Sequence, residues 1–217
     1  MIENIVREAE RADLAYIHEE MPRAIQQSLE GVQHVSRIVK AMKDFSHPGT
    51  DRKVAVDLNR AIETTLTVAR NELKYVADTV TELDPQLPLV PCLPGEINQV
   101  LLNLVINAAH AIADALPPGE QRRGRITVST QCFEDMVELR VSDTGTGIPE
   151  DVRSRIFEPF FTTKPVGRGT GQGLSLAHAV VVNKHGGQIW FDTELGKGTT
   201  FIVRLPRDTE PVALAHH

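Results

Sequence analysis

Three polar side chains interrupt a strongly apolar run: Asn103, Asn107 and His110 in NQVLLNLVINAAHA. Spacings of four and three residues place them on one face of a helix. Amides buried in an apolar helix cost free energy unless hydrogen-bonded, so this face turns either to water or to a polar ligand. Asp143 opens a second constellation, Asp143-Thr144-Gly145-Thr146-Gly147-Ile148-Pro149, directly after a strand-like run. A carboxylate at a strand end can accept a hydrogen bond from an exocyclic amine, and glycines at 145 and 147 let backbone approach a planar ring. A plain strand-ending turn has the same residues. A third run, Gly167-Arg168-Gly169-Thr170-Gly171-Gln172-Gly173-Leu174, opens a helix. Glycines there free amides to face phosphate oxygens, and the helix dipole favours that charge; a flexible loop is the alternative. No Gly-Lys-Ser/Thr closes the run and no βαβ unit surrounds it, which excludes a Walker A loop and a dinucleotide fingerprint. A last glycine pair lies in Gly196-Lys197-Gly198-Thr199-Thr200-Phe201, which by itself is a hairpin turn.

The surrounding pattern supplies elements to hold these groups. Residues 54–56 form a short strand, and Asp57 is an N-cap for a helix to about Asn71. Residues 76–83 form a strand, and Pro88, Pro91 and Pro94 make an extended connection. The apolar helix covers 95–116. Residues 125–133 and 136–142 alternate as a half-buried hairpin about Glu134-Asp135. Helix returns over 174–185, and 188–193 pairs with 199–205. Helices alternating with mostly antiparallel strands predict an α+β, two-layer sandwich with helices on one face. Ahead of it, apolar residues from Leu14 to Phe45 recur every three or four positions, a single stripe along a long helix over 3–46. Pro22 predicts a kink or a fresh helix start there. A stripe this long exceeds what a small domain needs to cover itself, so it predicts a dimer seam, with packing on its own domain as the alternative. Ser46-His47-Pro48-Gly49-Thr50 breaks the helix. The expected organisation is 1–50 helical, 51–207 the sandwich and 208–217 a loose tail.

Composition narrows the classes. The 217 residues are 41% hydrophobic and 24% charged with a formal net charge of −6, so a basic nucleic-acid-binding face is not expected. No run approaches the roughly 18 apolar residues of a membrane span, and the charged start is no signal peptide. A cytoplasmic setting without membrane contact is expected, although the segment could belong to a longer, anchored protein. Cys92 and Cys132 lack CxxC spacing and predict small core residues rather than a zinc site.

Taken in order, the motifs resemble those of sensor histidine kinases. NQVLLNLVINAAHA resembles the N box, DTGTGIP the first glycine box, IFEPFFTTK the F box, GTGQGLSLA the second glycine box and GKGTTF the third. The resemblance spans about 54–205 and implies the Bergerat ATP-binding sandwich shared with gyrase, mismatch-repair and heat-shock chaperone ATPases. It implies ATP and Mg²⁺ as cofactors, with Asn107 as the metal ligand, Asn103 beside it and His110 at a phosphate-contacting position. It places Asp143 on the adenine amine and Gly145, Gly147 and Ile148 along the base. Phe157, Phe160 and Lys164 begin a mobile lid. Gly169, Thr170, Gly171, Gln172, Gly173 and Leu174 surround the phosphates, and Thr199 supports the adenine through water. Ser175 departs slightly from the commoner second glycine box.

Hydrolytic members of this superfamily carry a glutamate base one turn before the magnesium asparagine. Asn103 stands there and cannot take a proton at neutral pH, which favours phosphoryl transfer over hydrolysis. The family's acceptor histidine is followed by an acidic residue, with proline at the fifth place after it. In His18-Glu19-Glu20-Met21-Pro22 the proline comes one residue early, and SRIVKAMKDFSHP resembles the second helix of the dimerisation hairpin. His18 is therefore read as a surface residue and the acceptor is expected upstream; His34 and His47 have no acidic residue following. The implied partners are ATP, a response regulator receiver domain and a second copy of the chain. An anti-sigma-factor-type serine kinase or regulator, and a non-catalytic interaction module, are the alternatives.

Overall fold

The computed structural model describes residues 20–26, 28–29, 52–117, 122–164 and 171–207. The chain divides into two compact units, Met1–Met42 and Lys43–His217. In the first unit, 20–26 and 28–29 are helical, with Pro22 inside the helix. Met21, Ile25 and Leu29, four residues apart, are all more than half exposed and form one apolar stripe. The rest of the expected 3–46 helix, His18, His34, His47 and the 208–217 tail lie outside the described residues.

The second unit is a layer of helices on one face of a five-stranded sheet. Its elements are β1 (Val54–Val56), α1 (Leu58–Leu73), β2 (Ala77–Glu82), β3 (Val90–Cys92), α2 (Pro94–Ala115), β4 (Gly124–Cys132) and β5 (Met136–Asp143). A 3₁₀ turn (Glu150–Arg155), α3 (Gly173–His178), a π-helical turn (Ala179–Lys184), β6 (Gln188–Glu194) and β7 (Gly198–Pro206) follow. The sheet order is β2-β4-β5-β7-β6. β2 runs parallel to β4 and the other pairs are antiparallel. β1 and β3 form a separate antiparallel ribbon.

Local chemistry sets these boundaries. The Asp57 side chain accepts from Arg60 N at 3.0 Å, capping α1. Pro94 starts α2, where a missing N–H costs nothing. α2 buries Ile97, Val100, Leu101, Leu104, Val105, Ala108 and Ile112, a helical repeat facing the sheet. Against it stand Ile126, Val128, Val137, Val141 and Val203. Each fully buried Leu or Ile contributes about 1.5–3 kcal/mol through lost apolar hydration. Cys92 is fully buried, and burial pushes its thiol pKa up to about 12, so it is a core residue and no thiolate.

Two polar ties complete the frame. His185 is buried; its Nδ1 lies 2.8 Å from Val180 O and its Nε2 accepts from Leu93 N at 3.0 Å. Accepting at Nε2 fixes the neutral ring with its proton on Nδ1, and burial lowers the His185 pKa. The ring thereby staples the start of α2 to the π-helical turn. On the sheet face away from the helices, Glu138 is 1% exposed. Its two oxygens accept from Arg140 Nε at 2.6 Å and Arg204 Nε at 2.7 Å. Burial acts to raise the Glu138 pKa, but the two arginines outweigh it and hold the carboxyl below its ordinary value.

The expected helix over 174–185 is α3 continued as a π-helical turn. The extended connection contains the unforeseen strand β3.

Candidate functional site

β5 ends on Asp143, which is 7% exposed. Gly145 N donates to its Oδ1 at 2.8 Å and Thr199 N donates to the same atom at 3.3 Å. Among the described residues both hydrogen bonds fall on one oxygen, and Oδ2 retains its acceptor capacity. Burial raises the Asp143 pKa against the lowering effect of these two amides.

Two glycines make this arrangement possible. Gly198 has φ +130°, and a Cβ there would drive into the Asp143 carbonyl oxygen, so no side chain fits between β7 and the end of β5. A Cβ on Gly145 would stand 2.6 Å from the Ala111 carbonyl carbon, so the turn can lie directly against α2 only as glycine. Thr146 N donates to Ala111 O at 3.2 Å and completes that contact. Gly147 sits beside the Glu194 backbone, and Ile148 N donates to Thr193 Oγ1 at 2.9 Å. The Thr193 hydroxyl also lies 3.0 Å from Thr199 Oγ1. Thr199 is buried, and its amide shares the Asp143 oxygen that Gly145 N also reaches.

Along α2, Asn103 is committed at both ends of its amide. Its Oδ1 accepts from Gln99 Nε2 at 3.1 Å, and its Nδ2 donates to Gly173 O at 3.0 Å. It thus ties the start of α3 to α2. One turn on, Asn107 Oδ1 faces Lys164 Nζ at 3.5 Å, and that nitrogen is 2.8 Å from His110 Nδ1. Burial lowers the Lys164 pKa, with Asp114 acting in the opposite direction. Asn107, His110 and Lys164 are therefore gathered at one point.

The remaining candidates are distributed more widely. Phe157 is packed on His178 and Phe191, with ring centroids 5.2 and 6.2 Å away, and belongs to the wall of the core. Phe160 is 72% exposed at φ +65°, and its N–H donates to Gly171 O at 2.9 Å. Leu174 and Ile148 pack against the core. Gln172 O accepts from Leu176 N and Ser175 Oγ at the start of α3. Gly169 and Thr170 lie outside the described residues.

Among the described residues no cluster of three or more His, Cys, Asp or Glu could cage a metal. The donor set nevertheless suits Mg²⁺, which keeps several waters and takes substrate phosphates with few protein oxygens. Asn107 Oδ1 is a hard oxygen donor that already faces a cation.

A buried carboxylate at a strand end, an amide-bearing helix and glycine turns packed against them fit a nucleotide-binding sandwich. The family described as "Histidine kinase-, DNA gyrase B-, and HSP90-like ATPase" matches residues 93–209, and the chain belongs to it. A solved catalytic domain of histidine kinase ThkA is 33% identical with a TM-score of 0.61, over 71% of this chain and 95% of that one. Sensor kinase CckA of Brucella abortus is 36% identical over 85% of this chain and 21% of its own length. Sensor protein FixL of Bradyrhizobium diazoefficiens is 33% identical over 86% of this chain and 36% of its own. The chain thus spans about a fifth to a third of these curated relatives. It carries the histidine kinase ATP-binding catalytic domain. No helix among the described residues is long and apolar enough to cross a membrane.

Proposed function

We propose that this chain binds Mg-ATP and transfers its γ-phosphoryl group to a histidine of a two-component sensor kinase, for relay to a response regulator aspartate. The observation that carries the reading is Asp143, a buried carboxylate with one oxygen satisfied and one unspent. Oδ2 accepts the adenine amine, Gly145, Gly147 and Ile148 border the base, and Thr199 orients the carboxylate. Asn107 holds the magnesium, which when bound offsets phosphate charge. His110, Lys164 and the second glycine box face the phosphates.

Asn103 supports transfer over hydrolysis. It lacks a basic atom to take the proton of an attacking water, and its amide is held by Gln99 and Gly173. The acceptor histidine is proposed to lie outside this sequence, the apolar stripe of Met21, Ile25 and Leu29 to join two copies, and the chain to work in the cytoplasm without nucleic-acid or membrane contact. The sensor kinases among its relatives favour this over an anti-sigma-factor-type regulator.

ATP affinity with and without Mg²⁺ tests the reading. Asp143→Ala should lose binding in both conditions, whereas Asn107→Ala should lose chiefly the Mg²⁺-dependent part. No binding by the unmodified chain would favour a non-catalytic interaction module. Incubation with labelled ATP should leave no acid-labile label on the chain alone; label removed by His18→Gln would relocate the acceptor.

A further inference from the structure

The contact of Lys164 with His110 and Asn107 bears on how the metal position is filled, given the nucleotide reading above. Asn107 Oδ1 is the hard oxygen proposed to hold Mg²⁺, and a side-chain amine lies 3.5 Å from it. The amine comes from a distant part of the chain, fifty-seven residues on, and is anchored by the shorter contact to His110 Nδ1 at 2.8 Å. His110 is one turn beyond Asn107 on the same face of α2, so the helix itself aims both acceptors at one cation. The anchor and the metal ligand thus bind Lys164 together, with the histidine as the closer partner.

We propose that Lys164 is a tethered substitute for the divalent cation: its ammonium occupies the Asn107 oxygen when no metal is bound, supports the phosphates of metal-free nucleotide, and yields that oxygen when Mg²⁺ arrives with its nucleotide. His110 is the positioning residue that keeps Lys164 within reach. An ammonium and Mg²⁺ at one amide oxygen disfavour each other, because like charges in a half-buried site repel. Lys164 therefore sets the metal requirement of binding and does more than add one phosphate contact.

The experiment measures ATP affinity of the whole chain in Mg²⁺ and in excess chelator, and takes the ratio of the two Kd values. Lys164→Met should weaken metal-free binding by about tenfold or more, the scale of one charge-assisted hydrogen bond. It should weaken Mg²⁺-ATP binding by a clearly smaller factor, because the metal then supplies much of the positive charge at the phosphates, so that the ratio widens. Lys164→Arg, which keeps the charge, should restore most of the ratio. His110→Leu should widen it in the same direction, and His110→Gln, which keeps an acceptor, should widen it less. Equal losses in both conditions would make Lys164 an ordinary phosphate contact and overturn the proposal. An unchanged metal-free affinity would overturn it too. If the unmodified chain binds no ATP even with Mg²⁺, the nucleotide reading itself fails, and this inference falls with it.

Discussion

β5 carries two buried carboxylates, Glu138 and Asp143, and they behave in opposite ways. An odd separation in a strand puts them on opposite faces of the sheet. Glu138 is saturated: each oxygen accepts from its own arginine, and its pKa is held down. Asp143 is half-used: two amides share one oxygen, no cation among the described residues neutralises it, and its pKa is raised. Burial is common to both, so burial alone does not mark a site. What distinguishes Asp143 is acceptor capacity that the protein leaves for something else.

The largest test attacks the geometry behind the unspent oxygen. Gly198→Ala places a methyl group against the Asp143 carbonyl at a positive φ. Strain and overpacking together should cost roughly 2–6 kcal/mol in urea unfolding; a loss below about 1 kcal/mol would mean the turn adapts freely. Next, Asp143→Ala should reduce ATP affinity about 100-fold, near 2.7 kcal/mol, while unfolding free energy moves by less than about 1 kcal/mol. Glu138→Gln should do the reverse. It strands two half-exposed arginines and should cost about 1–3 kcal/mol, less than a fully buried pair. Its ATP affinity should stay at the unmodified level, and a shared loss of binding would erase the contrast.

Acid titration separates the pair by sign. Glu138, with its pKa depressed by folding, stabilises above its unfolded value near 4.3, and that contribution is lost as pH falls through the folded value. Asp143, with its pKa raised, favours the folded state below its unfolded value near 3.9, and that contribution is lost as pH rises through the folded value. Unfolding free energies from pH 3 to 7 should therefore lose part of their acid decline in Glu138→Gln. Asp143→Asn should instead gain stability preferentially at pH 7. Matching shifts in both variants would refute the contrast. The smallest effect belongs to His185, whose depressed pKa means stability present above its unfolded value near 6.5 and lost progressively as pH falls below it. Charges of Lys53, Glu96 and Lys184 bear on that ring from the surrounding elements. His185→Gln should remove the slope that sets in as pH falls below about 6.5.

Much of this contrast was half legible in the sequence. Asp143 announced itself through its glycines and position, and Asp57 through the helix that follows. Glu138 gave no such signal, because its partner Arg204 is sixty-six residues away and becomes adjacent only through the β5–β7 register. The run 76–83 reads as a strand, but nothing in it says that β2 is parallel to β4, since a residue pattern carries no direction. β3 leaves no signal in the sequence, because three residues containing Pro91 make no countable pattern. Asn103 was visible as a polar residue on the right face. Its commitment to Gly173 was not, since that contact spans seventy residues.

α2 also works as a ruler. Asn103 fastens it to Gly173 and Ala111 fastens it to Thr146, so the two glycine turns are hung on one helix eight residues apart. At 1.5 Å per residue these fixings lie about 12 Å apart along the axis. The distance between the proposed base end and the proposed phosphate end of the site is therefore a count of helical residues, insensitive to the lengths of the loops that connect them. An insertion in those loops leaves the measure intact. A single residue added between Asn103 and Ala111 would turn one fixing about 100° away from the other and uncouple the two ends.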